Sequence, residues 1–205
     1  RVLRPEELRD AFIEVTAALP IYRTYTRDAR VGSRDRAFIE DALRNARLRN
    51  PSISEAVFEF VRKVLLIELS ADEDVIRFTM RWQQLTGPIM AKGVEDTTLY
   101  LYNRLISMNE VGGNPEPVSL EQFHAFNTER RIQSPGTMNT GSTHDTKRSE
   151  DVRARINLLS EMPAEWTRYV QRWHRWNRDK LVILDGKPVP GPNEEYLLYQ
   201  TLLGA

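Results

Sequence analysis

The sequence predicts a mainly α protein with two or three very short strands. Three observations carry this. Apolar residues recur at helical spacing through most of the 205 residues, as amphipathic helices require. Ser, Asp and Asn precede those runs, and Pro or Gly follow them, where helices start and stop. Only short stretches alternate in the manner of a half-buried strand.

The elements follow in order. Pro5-Glu6-Glu7-Leu8 starts a helix, with Pro suited to the first turn and acids facing the positive end of the helix dipole. Leu8, Phe12, Val15 and Leu19 line one face, and Pro20 stops it. Ile21–Thr26 alternates and is rich in β-formers, so a short strand is expected. Ser33 caps a helix over residues 34–48 carrying Phe38, Ile39, Ala42 and Leu43, and Asn50-Pro51 breaks it. Ser54 precedes a helix with Val57, Phe60, Val61, Val64 and Leu65. Asp72-Glu73-Asp74 opens the next, with Val75, Phe78, Met80 and Trp82, and Gly87-Pro88 closes it.

Residues 94–107 read as helix, with Leu99, Tyr102, Leu105 and Ile106 on one side. Val111-Gly112-Gly113-Asn114-Pro115 is a loop by composition. Ser119-Leu120-Glu121-Gln122 has the capping-box pattern and opens a helix to about Arg131. Residues 133–143 are loop or short strand, with Met138–Thr143 the strand candidate. Residues 149–160 are helical, with Val152, Ile156 and Leu159 aligned. Pro163 starts a helix through Arg178 that carries Trp166, Tyr169, Val170, Trp173 and Trp176. Residues 179–192 form a Pro/Gly-rich connector, and Asn193-Glu194-Glu195 caps a last apolar helix.

Composition narrows the function classes. Hydrophobic residues at 40% and charged residues at 28% permit a core and are unlike a disordered tail. Lys+Arg and Asp+Glu are both 29, a balance that argues against wholesale phosphate or nucleic-acid binding, which needs excess positive charge. With no cysteine, disulfides and thiolate zinc sites are excluded, and a reducing compartment is compatible. No stretch approaches the 18 apolar residues of a membrane span. The chain starts at Arg1 without Met and stops at Ala205 just after an apolar run. Both ends are therefore expected to be cuts within a longer protein.

Several stretches are candidates for chemistry. His144-Asp145 has two readings. Asp145 or Ser149 caps the next helix, both being favoured N-cap residues; or both side chains sit in a pocket at the end of the short strand Met138–Thr143, where Asp145 holds substrate hydroxyls and stabilises positive charge while His144 donates to the same ligand. Lys147, Arg148, Arg153 and Arg155 interleave with Glu150 and Asp151, which usually marks a salt-bridged solvated face. Lys92-Gly93-Val94-Glu95-Asp96 is either a set of helix N-terminal acids or the polar rim of a sugar site. Tyr22-Arg23-Thr24-Tyr25 suits either a structural Arg or a sugar-stacking platform. Gly112-Gly113, beside Arg104, Asn109, Glu110 and Asn114, lacks phosphate-binding spacing. The Trp166–Trp176 stripe is core by default. His124, His144 and His174 show no metal-ligand spacing, so no metal or cofactor is expected.

These residues also carry a resemblance. "YRTY" (22–25), "MAKGVEDTTLYLYNRLISMNEVGGNP" (90–115), "STHDTKRSEDVRARI" (142–156) and "NEEYLLYQTLLGA" (193–205) are similar to motifs of the maltooligosyltrehalose synthases, α-amylase-like glycoside hydrolases in type. The resemblance runs in order along most of the chain. It implies a (β/α)8-barrel parent with its site at the strand ends. It implies an intramolecular transglycosylation that turns the reducing-end α-1,4 link of a maltooligosaccharide into an α,α-1,1 link. Such retaining chemistry uses an Asp nucleophile and a Glu acid/base, with a further Asp holding substrate hydroxyls.

By the same resemblance, Asp145 is that third carboxylate and His144 a substrate-binding imidazole. Tyr22, Arg23, Lys92, Glu95, Asp96, Lys147 and Arg148 are sugar-contact candidates. No segment here resembles the nucleophile or acid/base motifs. Residues 1–90 resemble a helical insertion domain, and 91–205 would be barrel-derived strands and helices packed on it. The partners implied are a linear α-1,4-glucan and the remainder of the barrel, in a cytoplasmic enzyme with no nucleic acid and no membrane. The alternative is a non-catalytic helical carbohydrate-binding or interaction module.

Overall fold

The computed structural model describes residues 3–113 and 115–205. Asn114, in the loop expected at Val111–Pro115, lies outside the described residues. The chain is mainly helical and folds as two units, one through Val94 and one from Glu95 to Ala205.

In the first unit, helices α1 (Pro5–Ala17), α2 (Ser33–Arg49) and α3 (Glu55–Leu65) pack together, and α4 (Glu73–Ile89) lies against α3. Their contact surface is lined by Ala11, Val15, Ile39, Ala42, Leu43, Ala46, Val57, Phe58 and Val61, with Trp82 from α4. The alanines at 11, 42 and 46 keep the helix axes close. In α3 the core position falls on Phe58 rather than Phe60, since Phe58 lies one residue after Val57 on the buried stripe. Asp72 caps α4 by accepting from the Val75 N–H at 3.0 Å.

Three further expectations fail in this unit. Ser33 is the first residue of α2 and not its cap, which is Gly32. The segment at Ile21–Thr26 alternates, with Thr24 and Thr26 buried and Tyr25 exposed, but it is not a strand. Its backbone partner is a side chain: Gln83 accepts from the Thr26 N–H and donates to the Thr26 carbonyl, at 3.1 and 2.7 Å. Gln83 also accepts from the Thr24 hydroxyl at 3.1 Å. Gly87-Pro88 does not end α4 either. The helix passes through Pro88 to Ile89 and continues as a π-helix, Met90–Thr98. Proline removes one donor from the ladder and crowds the carbonyl four residues back, and the wider π turn lets the helix go on.

The second unit contains a single α turn, α5 (Leu99–Leu101), then α6 (Leu120–Gln133), α7 (Glu150–Asn157), α8 (Pro163–Asn177) and α9 (Pro192–Gly204). The helix expected to reach 107 ends early. Asn109 donates to the carbonyls of Leu99 and Tyr102 at 2.7 and 2.6 Å, so it takes up the orphan acceptors of a helix end. Ser119 and Gln122 form the expected capping box on α6. The apolar centre is small: Ile106, Ile156, Leu159, Trp166 and Tyr199. Trp173 and Val170 pack against it, whereas Trp176 stays 65% exposed. Gly204 lets α9 close on α7, since a Cβ there would stand 2.8 Å from Val152 Cγ1 and 2.9 Å from Ile156 Cδ1.

Both described strands lie in the segment expected to be a connector. Strands β1 (Val182–Leu184) and β2 (Lys187–Val189) pair antiparallel, with Leu184 opposite Lys187. Asp185 and Gly186 both take positive φ, the demand of a tight hairpin turn that Asp-Gly meets. Met138–Thr143 forms no strand.

The first unit stands on its buried apolar face. Phe58 is 1% exposed, so Phe58→Ala is expected to destabilise this unit by about 3–5 kcal/mol, read as a lowered midpoint in urea unfolding. A change below about 1 kcal/mol would contradict the packing described.

Candidate functional site

The stretch from Thr143 to Arg148 is a turn that bonds to itself and is clamped from outside. The Thr146 hydroxyl donates to the Thr143 carbonyl at 3.0 Å, and the Asp145 N–H donates to the Thr143 hydroxyl at 3.2 Å. Short hydroxyl side chains favour such turns because they offer the backbone a local partner. Asp145 is therefore a turn residue and not a helix cap. The N-cap position of α7 belongs to Ser149. His144 and Asp145 are both exposed at the tip.

The clamp is Glu110, whose side chain is 17% exposed. Its Oε1 accepts from the Lys147 N–H and from its neighbour Val111, each at 2.8 Å. Its Oε2 accepts from the Arg148 N–H at 3.4 Å and lies 3.5 Å from Arg153 Nη1. Arg153 also donates to the Gly141 carbonyl, upstream of the turn.

The flanking side chains are held too. Lys147 Nζ donates to Asp96 Oδ1 at 2.8 Å. That bond raises the lysine pKa against the effect of burial, with Asp145 and Glu95 adding attraction. Arg148 donates to the Ile106 carbonyl at 3.3 Å. Burial pulls its guanidinium pKa below the ordinary value, and Tyr100 and Glu110 oppose that. Glu95 is buried and accepts from the Gly112 N–H at 3.3 Å.

The interleaved charges are thus not a face bonded to itself. Lys147, Arg148 and Arg153 reach Asp96, Ile106 and Glu110, and Arg155 donates to the Gly204 carbonyl at 2.7 Å. Interleaved charge on a helix cannot show from sequence whether its partners are neighbours or distant backbone.

The expected site residues divide. Glu95, Asp96, His144, Asp145, Lys147 and Arg148 belong to the second unit, where the bonds above gather Asp96, Lys147 and Arg148 about the turn. Tyr22, Arg23 and Lys92 belong to the first. There Arg23 bonds to Gln84 Oε1, and its guanidinium lies 4.8 Å from the Tyr25 ring centre. Tyr22 and Lys92 are exposed.

Sequence reading gave Glu110 no role, because a lone acid in a Gly-rich loop has no signature. It also took Glu195 for a cap. Glu195 is buried, accepts from the Tyr199 hydroxyl, and lies 2.6 Å from His174 Nδ1. Asn177 donates to Tyr199 at 3.0 Å. Spacing offered one signal: Glu195 and Tyr199 stand four apart on α9 and so share a face.

Burial pushes the Glu195 carboxyl up, but bonds from Tyr199 and His174 outweigh it and hold the pKa below the ordinary 4.5. A depressed carboxylate contributes stability above its unfolded pKa and loses it as pH falls through the folded value. Below pH 4.5 the wild-type unfolding free energy is expected to fall more steeply than that of Glu195→Gln, read from urea melts across pH. Parallel slopes would contradict this.

No family model matches the chain. Over 93 residues, 44% of this chain and 12% of the other, it is 48% identical to a curated Mycobacterium tuberculosis protein assigned as a maltooligosyl trehalose synthase. Its fold is similar to the maltooligosyltrehalose synthase of Arthrobacter ramosus, with TM-score 0.75 and 37% identity over 96% of this chain and 23% of that one. A hypothetical maltooligosyl trehalose synthase from Sulfolobus tokodaii gives TM-score 0.67 and 35% identity, over 97% of this chain and 23% of that one. The chain spans about a quarter, or less, of the length of the relatives it matches. Along nearly all of its own length, at these identities, the chain matches one stretch of the larger maltooligosyltrehalose synthase fold.

Proposed function

We propose that this chain supplies part of the glucan site of a cytoplasmic maltooligosyltrehalose synthase, an isomerase acting on linear α-1,4-glucans. The reaction is an intramolecular transglycosylation from a reducing-end α-1,4 link to an α,α-1,1 link. One observation carries the reading: Asp145, the residue expected to hold substrate hydroxyls, stands exposed on a turn in which the N–H groups of Lys147 and Arg148 are clamped by Glu110. A carboxylate on a backbone fixed this way accepts hydrogen bonds from sugar hydroxyls with only its own side-chain dihedrals left to order. His144 beside it donates to the same sugar. Lys147, paired with Asp96, keeps a positive charge near Asp145.

The other roles follow from the same reading. Tyr22, Arg23, Lys92 and Glu95 contact the glucan as well. Residues 1–90 act as a helical insertion, and 91–205 as the barrel-derived portion. The nucleophile and the acid/base come from the remainder of the barrel. Without them there is neither a covalent intermediate nor a proton for the leaving oxygen.

The 205-residue chain is therefore expected to make no trehalose-ended product from maltopentaose; steady turnover, followed by chromatography of the products, would sink the reading. Calorimetric titration with maltopentaose separates a partial sugar site from a purely structural piece. Asp145→Ala is expected to weaken binding about tenfold, one charge-assisted hydrogen bond's worth, with unchanged melting. A stably folded chain that binds no maltopentaose fits the structural piece instead.

A further inference from the structure

Glu110 is the group on which the geometry of the His144–Asp145 turn depends. Its two oxygens take the N–H groups of Lys147 and Arg148 together with that of Val111, and Arg153 stands against Oε2. A carboxylate only accepts, so every donor around it is matched. The fixed N–H groups follow Asp145 by two and three residues, leaving few free dihedrals between the clamp and the Asp145 side chain. On the upstream side, Thr143 and Thr146 close the turn, and Arg153 ties Gly141 to the same carboxylate. Asp145 is thus bracketed from both directions while remaining exposed.

We propose that Glu110 is a positioning residue of the transglycosylation. It fixes where Asp145 stands through the backbone at Lys147 and Arg148, and it does not itself touch the glucan. This rests on the reading of Asp145 as the carboxylate that holds substrate hydroxyls. Misplacing such a group by about 1 Å lowers a rate on the order of a hundredfold. Glu110→Gln keeps the size of the side chain but turns an NH2 toward the donors of Arg148 and Arg153 or of Lys147. One side of the clamp is then repulsive, and the turn relaxes.

The test has two parts. In the full-length synthase carrying this chain, turnover of maltopentaose is measured for Glu110→Gln, Glu110→Asp and Asp145→Asn. Asp145→Asn is expected to remove nearly all turnover. Glu110→Gln is expected to lower kcat about ten- to a hundredfold, with KM within about twofold. Glu110→Asp, which keeps the charge, recovers part of the loss. In the 205-residue chain, amide exchange at Lys147 and Arg148 is expected to quicken at least about tenfold in Glu110→Gln while amides of the α7–α9 core hold.

An unchanged kcat in Glu110→Gln, with Asp145→Asn inactive, overturns the positioning role. So does a Glu110→Gln loss that raises KM in step and speeds exchange throughout the unit, since that marks a merely structural residue. Full turnover by Asp145→Asn overturns instead the reading of Asp145 beneath it.

Discussion

The second unit depends on one buried amide. Gln200, at 0% exposure, accepts from the Ile106 N–H at 3.0 Å and donates to the Asn103 carbonyl at 2.8 Å. It does for the irregular stretch after α5 what a neighbouring strand does in a sheet, by satisfying backbone on both sides. Leaving those groups buried and unpaired would cost about 1–3 kcal/mol each. Once Asn103–Ile106 is set, the next steps follow along the chain. Ile106 presents its carbonyl to Arg148, and Glu110 reaches the backbone of Lys147 and Arg148. Gln200, an uncharged side chain on α9 outside the turn, thus supports the stretch that leads to Glu110.

The two units solve stability differently. The first rests on a continuous apolar surface across its helices, beside which Gln83 ties the buried Thr24 and Thr26. The second has a small apolar centre and relies on buried Gln200, Glu195 and Asn109. Polar interiors are demanding, because each buried group must be met. Among the described residues of this unit, Asn103 Oδ1, Ser107 Oγ and Asn109 Oδ1 are buried without a protein partner. All three lie in the stretch that leads to Glu110, so the part of the unit nearest the site is also its least satisfied.

Most of the helices were legible because amphipathic spacing and caps are local signals. Ser119 with Gln122 and Asp72 with Val75 behave as their residue types require. Strands were less legible, since a strand is defined by its partner. Alternation is no guide where the partner is a glutamine: Thr24 and Thr26 alternate properly yet meet Gln83 in place of a second strand. The hairpin was missed although Asp185-Gly186 after the apolar triplet Val182-Ile183-Leu184 announced it, because Pro188 and Pro190 made the segment read as connector. Of the site, the turn residues stood out by type. Glu110 and Glu195 did not, since their roles come from donors many residues away.

Those long separations bear on how the turn comes to exist. Glu110 and Lys147 are 37 residues apart, and Ile106 and Gln200 are 94 apart. Closing such loops loses chain entropy before any contact compensates for it. Closing α9 on α7 already brings Ile156 to Gly204, and the clamp needs the tie from Ile106 to Gln200 besides. The presentation of Asp145 is accordingly a late event in folding. A collapsed, fully helical intermediate would carry the His-Asp sequence and lack the geometry that gives it chemical meaning.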